Sequence, residues 1–127
     1  MDILLDTQIL IWALSARVRI PQAMREAIGS GANVVFASAA SVWEIAIKSA
    51  LGKLDLGDVD PVELPRFIDA TGFGELPVLF RHAVAVHALP PHHRDPFDRM
   101  LIAQARTEGL TLATVDPAMR QYDVALF

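Results

Sequence analysis

Short, nearly continuous apolar runs alternate along this chain with longer stretches in which apolar residues recur every three or four positions. DILLD, from Asp2 to Asp6, reads as a buried strand, and TQILIWALSA as the helix that follows it. PQAMREAIGSG is a second helix, with Pro21 suited to its first turn and Gly29 or Gly31 to its end. NVVFAS is a strand rich in β-branched residues. ASVWEIAIKSALGKL is a helix with Ser38 as N-cap and Gly52 as its stop. The stretch from Asp55 to Gly74 holds another short helix between acidic turns. ELPV reads as a strand and FRHAVAVHAL as a helix ending at Pro90-Pro91. DPFDRMLIAQARTEG is a strongly periodic helix, LTLAT a strand, DPAMRQY a short helix and DVALF a closing strand.

Strands that alternate with helices predict an α/β fold, a central parallel sheet flanked by helices. With 127 residues, and with no repeat, linker or low-complexity segment, residues 1–127 form one domain. Ligands of such folds sit beyond the carboxyl ends of the strands. The residues at those ends therefore matter most.

Composition narrows the setting. A hydrophobic fraction of 53% and a mean hydropathy of +0.35 leave apolar surface for a partner or a second copy of the chain. No run reaches the ~18 apolar residues of a membrane span, and no basic stretch precedes an apolar one at the amino terminus. The absence of cysteine excludes disulfides and thiol catalysis, and a cytoplasmic location is expected. A net charge of −4 argues against a general phosphate-binding surface. Lys48, Lys53, Arg94, Arg99 and Arg106 nevertheless gather in two stretches, enough to hold nucleic acid locally.

Four acids stand in apolar surroundings. Asp6 closes the first strand and opens the first helix, a place that a helix cap would fill equally well. Glu44 lies among Val42, Trp43, Ile45, Ala46 and Ile47, on a helix apolar nearly all round. An i,i+4 pair with Lys48, worth roughly 0.2–0.5 kcal/mol on an exposed face, is small against the desolvation of an acid there. Asp98, the third residue of a helix capped by Asp95, suits the helix dipole, yet it shares a face with Leu101, Ile102 and Ala105. Asp116 follows the LTLAT strand and on its own is an ordinary cap. Two carboxylates ~5 Å apart repel by about 3 kcal/mol at an effective dielectric of 20. Four in one pocket oppose folding unless they are protonated or bind a cation, and all-oxygen ligation suits Mg²⁺ or Mn²⁺.

LLDTQIL, SVWEIAIKSALGKL, HRDPFDRMLIAQA and TLATVDPAMRQYDV, in that order over nearly the whole chain, resemble the PIN-domain ribonucleases, and closely the VapC toxins of type II toxin–antitoxin pairs. The resemblance implies a PIN fold and a Mg²⁺- or Mn²⁺-dependent endoribonuclease. It places the family's acidic set on Asp6, Glu44, Asp98 and Asp116, and its small polar residue on Thr7, with Thr114 a weaker match. It also implies a homodimer and a tightly bound VapB-type antitoxin whose tail covers the pocket. In the expected chemistry a held cation polarises the scissile phosphate of RNA and acidifies an attacking water, leaving a 5′-phosphate and a 3′-hydroxyl. Asp6, Glu44 and Asp98 are expected to ligate directly or through water. Asp116 is expected to act in a second position or through water, Thr7 to orient water or substrate, and Asp95 to serve as cap and outer support. Arg94, Arg99, Lys48 and Lys53 are candidates for phosphate contacts, against the plainer reading of solvated charge.

Other classes fit less well. Metal-free acid–base cleavage by His92 and His93 would need adjacent residues of a Pro-rich loop to converge on one atom. His82 and His87 read as surface or packing residues. A non-catalytic interaction module has no need of four gathered acids. A phospho-receiver wants paired acids after the first strand, where LLDTQ has one, and no Gly-rich loop ends in Gly-Lys-Ser/Thr.

Overall fold

A computed structural model describes the whole chain, Met1–Phe127. Four strands, β1 (Asp2–Leu5), β2 (Val34–Ser38), β3 (Gly74–Leu76) and β4 (Thr111–Ala113), form one parallel sheet in the order β3-β2-β1-β4. Ile3 pairs with Val35 on one side of β1 and with Thr111 on the other. The helices between them are α1 (Thr7–Ser15), α2 (Gln22–Gly29), α3 (Ala39–Ala50), α4 (Leu64–Thr71), α5 (Phe80–Ala85) and α6 (Pro96–Glu108).

Side-chain alternation along β1 divides the core in two. Ile3 and Leu5 point to one face and pack with Ile9, Leu10, Met24, Ile45 and Ile68 from α1 to α4. Leu4 points to the other and packs with Leu101, Ile102, Leu112 and Met119. A strand covered on both faces must be apolar throughout, which is why ILL carries no alternation. Gly52 (φ +70°) and Gly109 (φ +67°) turn the chain out of α3 and α6 through the left-handed region that other residues avoid.

Most boundaries fall within two residues of those expected from the pattern, but three segments differ. FRHAVAVHAL is helical only to Ala85 and then tightens into a 3-10 turn at Val86–Ala88. DPAMRQY yields a 3-10 turn at Met119–Gln121 rather than an α-helix. DVALF is not a strand. It bends at residues 122–124 and meets β4 only through the Leu112–Leu126 bridge. The bend follows from Tyr122, which turns inward to bury its ring and hydrogen-bond the 90s loop, so Asp123 and Val124 cannot run extended.

Candidate active site

Asp6 leaves the carboxyl end of β1 and caps α1, its Oδ1 accepting the Ile9 N–H at 2.7 Å. Cap and buried acid are therefore one residue: the chain turns at Asp6, and the turn holds its carboxylate at the mouth of the core, 3% exposed. One residue on, the Thr7 hydroxyl donates to Glu44 Oε1 at 2.7 Å and lies 3.0 Å from Ser41 Oγ. Glu44 is buried on α3, and its Oε2 is paired with Lys48 one turn along. The i,i+4 pair and the inward acid, alternatives in the sequence, coexist.

Asp95 caps α6 through the N–H groups of Phe97 and Asp98 at 2.8 and 3.3 Å. That cap sets the start of the helix and thereby delivers Asp98 to the same opening. Asp116, past β4, accepts the Ala118 N–H at 2.9 Å. Thr114 accepts the Asp116 N–H at 3.1 Å.

These residues line a single cleft of about 410 Å³ beyond the strand ends. Its wall includes Asp6, Thr7, Glu44, Asp98 and Asp116, the five residues singled out in the sequence, together with Asp95, Lys48 and Lys53. Five carboxylates thus face two lysines, one of which is already committed to Glu44. The electrostatic consequence is direct. Burial, with added repulsion from Asp116 and Glu44, raises the pKa of Asp6 to about 6, despite hydrogen bonds from Thr114 and the Ile9 N–H. Burial followed by repulsion from Asp95 and Glu44 raises Asp98 to about 7. Lys48 moves upward because its hydrogen bond to Glu44 stabilises the charged form.

Such a donor set fits a hard divalent cation, whose charge would offset the repulsion. Asp6, Glu44, Asp98 and Asp116 could all contribute oxygens. The tightest convergence of ligand-type atoms is His93, Asp98 and Asp116, all within 4.8 Å of one another. Asp6 and Glu44 do not join that group of three.

Two basic residues depart from the sequence reading. Arg99 is neither a phosphate contact nor a solvated charge. Its guanidinium donates to the carbonyls of Pro90, Leu89, Val86 and His93 and to the Tyr122 hydroxyl at 2.9–3.4 Å. Arg94 is exposed and lies outside the cleft wall, whereas Lys53 lies in it. His93, weighed in the sequence only for metal-free cleavage, joins the acids instead: its Nε2 stands 2.8 Å from Asp98 Oδ2 and 3.4 Å from Asp116 Oδ2. Only its position five residues before an inward acid pointed that way. His92 is exposed and stacks edge-on against Tyr122, so the two histidines do not converge. His82 is fully buried and His87 exposed.

The same fold is present in solved structures of low sequence identity. A chain of VapBC2 from Rickettsia felis, solved bound to a DNA fragment from the promoter, superposes with a TM-score of 0.71 at 14% identity, over 100% of this chain and 98% of that one. VapBC-1 from nontypeable Haemophilus influenzae gives 0.63 at 17% identity, over 100% and 97%. FitAcB from Neisseria gonorrhoeae gives 0.62 at 23% identity, over 98% and 96%. No curated protein matches the sequence. A family model described as the PIN domain matches residues 3–125, nearly the entire length, and the chain belongs to the PIN domain family.

Proposed function

We propose that this protein is a divalent-metal-dependent endoribonuclease, the toxin of a VapBC-type toxin–antitoxin pair. The observation that carries this reading is the gathering of Asp6, Glu44, Asp98 and Asp116, from four separate stretches of the chain, in one cleft. Their charges oppose folding and call for a cation. PIN-family membership and the structural likeness to VapBC complexes support the same activity and an antitoxin partner.

A bound Mg²⁺ or Mn²⁺ would supply Lewis acidity toward the scissile phosphate and toward an attacking water. The chain's part is to hold and orient. Asp6 is locked by its helix cap, and Glu44 by Thr7 on one oxygen and Lys48 on the other. Lys48 and Lys53 on the cleft wall place positive charge where the phosphates of an RNA strand would run, positioning it without reading its bases. Asp116, 40% exposed, is the acid open to incoming water.

An apolar groove adjoins the cleft, sharing Ile11 with it and lined also by Leu14, Ile45, Leu56, Leu64 and Phe67. It suits an apolar segment of the antitoxin, whose continuation would cover the acids. Exposed Phe80, Val84 and Trp43 supply surface for a homodimer.

The decisive test is RNA cleavage by purified protein with Mn²⁺ and with chelator. Cleavage should require the metal, and Asp6→Asn should lose more than about 100-fold, beyond the range seen when only a ligand's support is removed. Asn keeps the cap, so the variant should stay folded. Wild-type cleavage by the folded Asn variant would refute the site.

A further inference from the structure

The loop from residue 90 to 95 carries more tethers than a connection of its length requires. Arg99 binds the carbonyls of Pro90 and His93 at 2.9 and 3.4 Å. The Tyr122 hydroxyl accepts the His93 N–H at 2.8 Å and also meets Arg99 at 3.2 Å. Arg99 and Tyr122, from elements on either side, thus act as a clamp. Its effect is to press the His93 ring against Asp98 and Asp116.

The second ring nitrogen decides what Nε2 carries. Asp95 donates its N–H to His93 Nδ1 at 3.2 Å, so Nδ1 presents a lone pair and Nε2 holds the proton. A nitrogen that holds a proton is not a metal ligand, although His93, Asp98 and Asp116 have the spacing of a three-ligand site. Nor can it touch RNA, because Nε2 is sealed from solvent. Its N–H is in line with neither carboxylate oxygen, despite their closeness. A buried donor left between two acids is costly unless the arrangement serves them.

We infer that His93 is a positioning residue of the acidic site, its Nε2–H lying between Asp98 Oδ2 and Asp116 Oδ2 and offsetting their mutual repulsion, which leaves Oδ1 of Asp98 for a divalent cation. This rests on the cation site of the proposed function but not on RNA cleavage. Asp98 and Asp116 come from different elements, and this imidazole is the group set between their Oδ2 atoms. The Arg99–Tyr122 clamp belongs to the same device, since it sets the height of the loop and hence of the ring.

Mn²⁺ binding, followed by loss of the free-ion electron paramagnetic resonance signal, tests this in wild type, His93→Ala and His93→Gln. His93→Ala should weaken binding at least about tenfold, the usual loss when a group that orients a metal ligand is removed. His93→Gln, whose amide can present an N–H in the same place, should recover most of it. If His93→Ala fails to fold, Tyr122→Phe carries the test, because it removes only the hydroxyl that holds the loop. A weakened Mn²⁺ affinity is again expected. Wild-type affinity in folded His93→Ala, or in Tyr122→Phe where that variant carries the test, overturns the inference. So does a folded His93→Gln as weak as His93→Ala, which would mean that a ring nitrogen binds the ion. RNA cleavage by the same wild-type sample separates the two readings. Mn²⁺ binding that depends on His93, without cleavage, refutes the nuclease and leaves the inference standing. Cleavage with a binding curve indifferent to His93 does the reverse. Wild type that binds no Mn²⁺ overturns both.

Discussion

Ser38, His82 and Gln104 are fully buried, and Asp6, Thr7 and Glu44 nearly so, yet the two groups meet burial in opposite ways. In the first, each polar atom has a neutral or opposite partner. The Ser38 hydroxyl donates to Gln104 Oε1 at 2.6 Å, and Gln104 Nε2 donates to the Pro77 carbonyl at 3.2 Å. His82 accepts the Leu79 N–H at Nδ1 and turns Nε2 toward Glu108 at 2.6 Å. Glu108, also held by Arg81, has its pKa lowered, chiefly by the His82 hydrogen bond. In the acidic cleft, burial and like charge push Asp6 and Asp98 the other way. Burial of polar groups alone does not mark a functional site. Charge left without compensation does.

The contrast should appear in stability. Gln104→Leu would strand the Ser38 hydroxyl and the Pro77 carbonyl, and a loss of about 2–6 kcal/mol is expected, at 1–3 kcal/mol per unsatisfied group. Urea denaturation measures it, and an unchanged midpoint would show the network to be ornamental. In the cleft the proposed cation can be added. Mn²⁺ at about 100 times its dissociation constant should raise stability by about 2.7 kcal/mol, and chelator should remove the gain. A melting temperature indifferent to millimolar Mn²⁺ would count against a cation site.

The smallest effect depends on pH. Folded Asp98 keeps its proton up to about pH 7, whereas in the unfolded chain it loses it near 3.8. Between those values the folded state binds more protons, so the metal-free protein loses stability as pH rises from about 4 to 7. Asp98→Asn cannot titrate. It should match wild type near pH 4 and exceed it by a margin that grows as pH rises to 8. A constant difference between the two melting curves across that range would show that Asp98 is not frustrated.

Much of this was legible in the chain. The continuous apolar runs predict parallel strands, and β1, β2 and β4 lie where ILL, VVF and LTLA stand. Asp95 caps α6 as Asp-Pro at a helix start implies, which places Asp98 one turn in. Glu44 was conspicuous because an acid amid Trp43, Ile45 and Ile47 has no local justification. The failures share one cause. DVALF has strand-forming residues, but Tyr122 just before it is drawn inward by partners at residues 93 and 99. Arg99 looked free because its acceptors are backbone carbonyls 6 to 13 residues earlier, which no side-chain pattern displays.

The amino-acid sequence by itself determined the element order, the faces of the sheet and the identity of the acids. Those depend on hydrophobic period and on side-chain chemistry, both written locally. Which groups those acids meet was decided only by the tertiary structure. The approach of His93 to Asp98 and Asp116, and the absence of enough cations to answer five carboxylates, depend on distances between residues far apart in the chain. Electrostatic energy follows those distances in space rather than separations in sequence.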